Sequence, residues 1–217
     1  MEFWEVLQRH LPEFVSGFLT TLKIVAAAFL IAVVVGTFVA AFRVAPSKWL
    51  NRIGSLYVEY FRNIPLLILV FIIFYGLPAE LNIDETIAGI VGLGLYTAAY
   101  VAETVRSGVF AVGKGQIDAS LSLGFTYSAT LRRIVLPQAF RTVIPPLGSL
   151  TIAMIKNSAV IGGALAVADL LHTARLVNSG TARVHEAFFW AAVGYLILTI
   201  SATIVVRRLE TKLAIRR

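Results

Sequence analysis

Long apolar runs alternate with short charged ones along the whole chain. A helix that crosses a membrane needs about 20 mostly apolar residues. Five stretches meet that test, at roughly 18–42, 58–77, 86–108, 143–163 and 187–206. The first is uncharged from Ile24 to Phe42, whereas the third carries Glu103 and Arg106 and the fourth carries Lys156. The pattern predicts an all-α polytopic membrane protein with five transmembrane helices. Ahead of the first stretch, Phe3, Trp4, Leu7, Leu11, Phe14 and Phe18 fall at helical spacing. They form either a short helix lying in the membrane interface or an early start of the first span.

The connections between the runs alternate in charge. Arg43, Lys48 and Arg52 follow the first run, Glu80, Asp84 and Glu85 the second, and Lys114, Arg132, Arg133 and Arg141 the third. The connection after the fourth run is nearly balanced, with Asp169, Arg175, Arg183 and Glu186. The chain ends on Arg207, Arg208, Lys212, Arg216 and Arg217. Basic connections stay in the cytoplasm, so the N-terminus is expected outside and the C-terminus inside.

Composition narrows the classes. Hydrophobic residues make up 58% and charged residues 14%, too apolar a balance for a soluble domain of this length. The net charge of +7 does not point to nucleic acid, because the basic residues sit at the ends of apolar runs. Cysteine is absent, which excludes disulfides, a thiol nucleophile and cysteine-held metal. His10, His172 and His185 are scattered without metal-ligand spacing. Residues 1–16 carry Glu2, Glu5, Arg9 and Glu13, so no cleavable signal is expected and insertion relies on the first span.

The segment Gly115 to Pro137 is polar, basic and helix-forming within this apolar chain. Gln116–Leu123 is expected to form a short helix, with Gly124 in a left-handed turn. Thr126 or Ser128 then caps a second helix over Ala129–Val135, which Leu136-Pro137 stops. Ala119 and Ser120 are small enough for a partner surface to approach closely. Asp118 and the Arg132-Arg133 pair offer charged anchors.

This segment resembles the E-A-A…G…I-x-L-P signature of the permease subunits of ABC importers. Asp118-Ala119-Ser120 stands at the E-A-A position, Gly124 at the glycine, and Ile134-Val135-Leu136-Pro137 at the ending. Asp for Glu and Ser for Ala are the departures. Further likenesses run through most of the chain. Gly17…Thr20-Thr21-Leu22 is similar to the family's entry to the first span, and Arg62-Asn63-Ile64-Pro65-Leu66-Leu67 to R-G-T-P-L-L. Tyr100–Gly108 is similar to A-Y-x-A-E-x-x-R-G-G, Lys114-Gly115-Gln116 to K-G-Q, and Ile155–Ala159 to I-K-D-T-S. Together they resemble the polar amino-acid branch, the histidine, glutamine and glutamate type, with the Lys156-Asn157-Ser158 stretch nearest to glutamate permeases.

The resemblance implies a type I importer permease fold as one domain over residues 1–217, in a bacterial cell membrane. Its coupling loop would cover about 109–141, with Asp118, Ala119, Ser120, Gly124, Leu136 and Pro137 as ATPase-coupling residues. It also implies a second permease, identical or sister, two ATPase subunits that bind ATP-Mg, and an extracytoplasmic binding protein. The implied function is alternating-access import of polar amino acids, glutamate, glutamine or aspartate among them. The chain itself lacks a G-x-x-x-x-G-K-[ST] loop, so no ATPase site or cofactor is expected in it. An ion-coupled secondary transporter of small polar solutes is the alternative, against which stand the small size and the lack of visible repeats.

Charged groups within spans are costly and commonly functional. Tyr100, Glu103, Arg106, Lys156, Asn157 and Ser158 are the candidate substrate residues. Glu103 could receive the ammonium of an amino acid, Lys156 or Arg106 a carboxylate, and Asn157 and Ser158 the side chain. Alternatively, Glu103 pairs with Arg106 or Lys156 as a structural bridge, and Tyr100 packs rather than lining a path. A break of the fourth span near Gly162-Gly163 would open backbone groups to a cavity. Pro65 is expected to kink the second span. Ala88, Gly92 and Gly94 let the third span approach a neighbour, within this subunit or across a dimer.

Overall fold

The computed structural model describes residues 3–213; Glu2, Arg216 and Arg217, which entered the charge pattern, lie outside them. All regular structure among the described residues is helical. Helix α1 runs over Phe3–Val44, α2 over Lys48–Asn63, α3 over Leu66–Tyr75 and α4 over Glu85–Phe110. After these come α5 (Lys114–Ser122), α6 (Tyr127–Thr130), a π-helical segment (Leu131–Val135) and α7 (Leu136–Asn157). The chain ends with α8 (Ala159–Leu165), α9 (Leu170–Thr181) and α10 (Val184–Leu213).

Helix α1 answers the question of the early start. It is two helices merged across a kink at His10, whose φ of −114° and ψ of 18° leave the α region. Pro12 accounts for the kink, since its ring displaces the carbonyl four residues back and it has no N–H to give. The leading turns then fold onto the start of α10. Trp4 and Phe3 meet Trp190 and Phe189 edge to face, and Trp190 Nε1 donates to the Phe3 carbonyl at 2.8 Å.

The second span is not one helix. Ile64 and Pro65 are extended, and α2 and α3 meet at a bend of 103°. The residue before proline is pushed out of the α region, so the helix ends at Asn63. With α2 and α3 counted as a single broken span, five helical units are long and apolar enough to cross a membrane. The kink expected at Pro65 is therefore present. The continuous run over 58–77 is not, because α2 is an amphipathic helix bearing Lys48, Arg52, Glu59 and Arg62.

The core forms where α1 crosses α4, with α9 and α10 packed on α1, α3 and α8 on α4, and α7 against both. Small residues allow the α1–α4 crossing to be close. A Cβ on Gly36 would stand 2.7 Å from the Ala98 carbonyl, and one on Gly94 2.8 Å from Ile31. Gly92 meets Val70 of α3 in the same way. The small residues of the third span thus serve packing within this chain. In the fourth span Gly162 and Gly163 stay helical within α8, and the break falls at Ala166, whose φ is +55°.

Candidate functional site

Three places concentrate chemistry: the polar loop, a cavity with a charge cluster beside it, and a buried node at the opposite end of the spans.

The loop folds as two helices in a tight hairpin. Gly124 has φ +85°, as the glycine turn requires, and the Thr126 hydroxyl accepts from Ala129 N–H at 3.2 Å to cap the second helix. Ser120 is buried rather than offered to a partner: its hydroxyl bonds that of Thr130 at 2.7 Å and pins α5 to α6. Ala119 and Asp118 are exposed, together with Leu121, Leu123, Tyr127, Arg132 and Arg133. Pro137 does not stop the helix. It lacks an N–H, and the chain widens into a π turn just before it, with Leu136 N–H reaching back to the Leu131 carbonyl. The helix then continues without a break through exposed Leu136 and Pro137 into α7. Gln138 Nε2 ties this junction to Gln116 Oε1 at 2.7 Å.

Between α4 and α7 lies a cavity of about 210 Å³ lined by Tyr96, Thr97, Tyr100, Leu150, Met154 and Asn157, with Ala153. The Tyr96 and Tyr100 hydroxyls are 3.1 Å apart. Of the sequence-predicted substrate residues, Tyr100 and Asn157 thus share a cavity. Lys156 is exposed on the next helical position and does not line it. Ser158 is fully buried and donates to the Ile155 carbonyl at 2.8 Å, turning its hydroxyl back onto the helix end.

Glu103 is held by guanidinium groups. Arg106 Nη2 reaches its Oε1 at 2.7 Å, Arg43 bonds its Oε2, and Arg62 approaches the same oxygen at 3.7 Å. Arg62 also lies over the Tyr100 ring at 5.4 Å, so the cluster adjoins the cavity. Three cations on one anion leave a local excess of positive charge. Glu103 pairs with Arg106 on its own helix and with Arg43 and Arg62, so the cluster ties α4 to α1 and α2 and does not bridge the third and fourth spans; Lys156 takes no part in it among the described residues. Arg43 and Arg62 entered the sequence analysis only as topology and motif residues. Their convergence comes from the packing of α2 against α1 and α4 and has no local sequence signal.

The third place was not foreseen. Asp169 is fully buried in the connection between the fourth and fifth spans, where it caps α9. Its carboxylate accepts from His172 N–H at 2.8 Å and from the Tyr195 hydroxyl of α10 at 3.1 Å. Leu170 N–H donates to Thr21 of α1 at 3.2 Å, and the Thr173 hydroxyl to the Asp169 carbonyl at 2.8 Å. Burial pushes the Asp169 carboxyl above the ordinary carboxylate range, against the pull of the His172 N–H and the Tyr195 hydroxyl. A Cβ on Gly17 would stand 2.5 Å from the Thr173 hydroxyl, and one on Gly162 1.7 Å from the carboxylate. The Gly17…Thr20-Thr21 motif thus has a structural reason: it seats α9. The available signal was an aspartate directly ahead of an apolar pair, an N-cap pattern.

The chain belongs to the family described as "binding-protein-dependent transport system inner membrane component", which matches residues 32–215. It is 43% identical over 209 residues to the probable glutamine ABC transporter permease protein GlnM of Bacillus subtilis, covering 96% of each chain. It is 32% identical to the glutamate/aspartate import permease protein GltJ of Escherichia coli, over 91% of this chain and 85% of that one. A crystal structure of an amino acid ABC transporter with histidines superposes with a TM-score of 0.91 at 32% identity, covering 98% and 99% of the two chains. The fold is that of an ABC importer permease, and the chain is a membrane transport subunit.

Proposed function

We propose that this chain is the permease of an ATP-driven importer of polar amino acids with amide or acidic side chains, glutamine, glutamate and aspartate foremost. The observation that carries the substrate class is the cavity between α4 and α7. Its polar lining is neutral, from Tyr96, Thr97, Tyr100 and Asn157, and an arginine-rich cluster adjoins it through Arg62 over the Tyr100 ring. It contains no carboxylate to receive a cationic side chain, and the positive excess beside it disfavours one. The glutamine and glutamate/aspartate names of the relatives agree with this reading. Lys156, exposed next to Asn157, supplies a cation for the substrate carboxylate once a second permease, identical or sister, encloses the path. Glu103 and Arg106 brace α4 beside the cavity, and Ser158 holds the end of α7.

In this reading the N-terminus is outside and the C-terminus inside, and an extracytoplasmic binding protein delivers the amino acid. Two ATPase subunits carrying ATP-Mg dock on the 114–135 hairpin through Leu121, Leu123 and Tyr127, with Asp118 and Arg132-Arg133 as charged anchors. Their closure moves the hairpin, and the unbroken helix into α7 carries that motion to the cavity wall.

The test is reconstitution of the permease with its ATPase and binding protein in liposomes. Uptake is measured for glutamine, glutamate, aspartate, histidine and arginine. Uptake of the amide and acidic amino acids with stimulated ATP hydrolysis is expected, and Asn157→Asp should move preference toward arginine. An unchanged glutamate-to-arginine ratio in that variant refutes the role of Asn157. Arginine as the best substrate of the wild type refutes the substrate class.

A further inference from the structure

Positive charge is left over where α1, α2 and α4 meet. Arg43, Arg62 and Arg106 converge on Glu103, so three cations face one anion. Glu59, exposed and a turn ahead of Arg62, forms no ion pair among the described residues. Even with Glu59 counted, one positive charge stays unmatched. Excess charge inside a membrane-spanning bundle is costly until an opposite charge meets it.

Hydrogen-bond donors are in surplus as well. Three guanidiniums carry about fifteen N–H groups, whereas one carboxylate accepts about four hydrogen bonds. Arg62 forms no hydrogen bond among the described residues; at 3.7 Å from Glu103 Oε2 it stands too far for one. The buried Nε atoms of Arg43 and Arg106 have no partner there either. The Arg62 and Arg106 side chains are 43% and 34% exposed, against 13% for Arg43, so these two can be reached from outside. Arg62 lies over the Tyr100 ring at 5.4 Å and Arg106 over the Phe110 ring at 5.5 Å. The rings position both guanidiniums and supply no oxygen acceptor. Arg43 is in the last turn of α1, Glu103 and Arg106 are in the last turns of α4, and the hairpin begins at Lys114. The cluster therefore sits at the hairpin end of the spans.

We propose that Arg62 and Arg106, with Arg43 behind them, bind one small oxyanion, a carboxylate or a phosphate, from the hairpin side. The fork of a guanidinium fits either group through two parallel N–H···O bonds. The occupant supplies the missing negative charge and ties α2 to α4 a second time. A carboxylate on this side is that of the amino acid already imported, so the product would hold the cluster closed and slow the next cycle. That source rests on the function proposed above; the oxyanion site itself rests on the cluster alone.

The experiment uses the complete importer in nanodiscs, without binding protein or nucleotide. Melting and calorimetric titration are followed in glutamate, in inorganic phosphate and in chloride at equal ionic strength. Glutamate or phosphate should bind and raise the melting temperature, and chloride should not. Arg62→Gln, at the surface, should weaken binding about tenfold. Glu103→Gln should tighten it on the order of tenfold, because it removes the competing negative charge. A Glu103 that receives the ammonium of an amino acid predicts the opposite sign. Tighter binding of glutamate assigns the site to the imported amino acid, and tighter binding of phosphate assigns it to free phosphate. Asn157→Asp changes the cavity and leaves the cluster intact, so binding should be unchanged in it. No binding of either anion, binding undiminished in Arg62→Gln, weaker binding in Glu103→Gln, or loss in Asn157→Asp overturns the proposal. Arginine as the best substrate in the uptake assay would refute the substrate class and leave the phosphate arm standing.

Discussion

Two carboxylates hold this molecule together, and they do so by opposite means. Glu103 gathers α1, α2 and α4 through three guanidinium groups and remains about a quarter exposed. The Asp169 carboxylate joins α9 to α10 in full burial through N–H and O–H donors, with no cation bonded to it among the described residues, while the neighbouring Leu170 N–H ties the same turn to Thr21 of α1. A partly wet ion cluster can part and re-form, because water takes over the charges as they separate. A dry carboxylate held by oriented neutral donors has no such substitute, and moving it orphans every donor. By this argument the ion cluster is expected to yield more readily than the node beneath α9.

The comparison breaks most readily at Gly162. Its Cα faces the Asp169 carboxylate with no room for a methyl group, so Gly162→Ala should cost about 3 kcal/mol, read as loss of thermal stability in detergent. A variant as stable as the wild type would mean that the node yields freely and the proposed rigidity is absent.

Asp169→Ala comes next, at about 2 kcal/mol, since it strands the His172 and Tyr195 donors. The folded-state carboxyl titrates above its ordinary range because burial disfavours the charge. Its contribution is therefore complete below the ordinary carboxylate range and is lost as pH rises through the raised value. The gap between wild type and Asp169→Ala in thermal melts should narrow with rising pH; a widening gap contradicts this sign.

Glu103→Gln should cost about 1.5 kcal/mol, because the cluster is partly exposed. That cost should shrink in high salt, whereas the Asp169→Ala cost should not. Equal salt dependence of the two would erase the distinction drawn between them. The smallest effect is expected at Ser120→Ala, about 1 kcal/mol from the lost bond to Thr130. It should reduce amino-acid-stimulated ATP hydrolysis more than melting temperature, because it loosens only the hairpin.

The parts of this architecture governed by hydrophobic runs were legible in the sequence. The third span falls within two residues of α4 at each end, since hydropathy alone decides it, and the fifth lies inside α10, which runs on through the basic residues to Leu213. The hairpin's glycine turn and its Thr126 cap were legible because both are local backbone requirements. The extent of the second span was not, because a hydropathy window averages across the Ile64-Pro65 break. Pro137 was read as a helix stop, yet a π turn absorbs its missing donor and the helix continues. Ser120 is a small exposed residue by pattern but a buried hydroxyl in the fold, because its partner Thr130 lies across the turn. The Asp169 node and the meeting of Arg43, Arg62 and Glu103 arise only from tertiary contact, so no spacing along the chain announces them.

The five-residue π segment between the hairpin and α7 has a consequence for descent by insertion and deletion. A π turn stores one extra residue in an otherwise regular helix, and each residue of an α-helix accounts for about 100° of rotation. Deleting one residue from Leu131–Val135 would convert the π turn to an α turn and keep the hairpin nearly in its present phase relative to the membrane spans, whereas a deletion in the regular turns of α7 would rotate the hairpin by about that angle. The π segment therefore acts as a buffer: it tolerates loss of its stored residue without re-aiming the surface that bears Leu121, Leu123 and Tyr127.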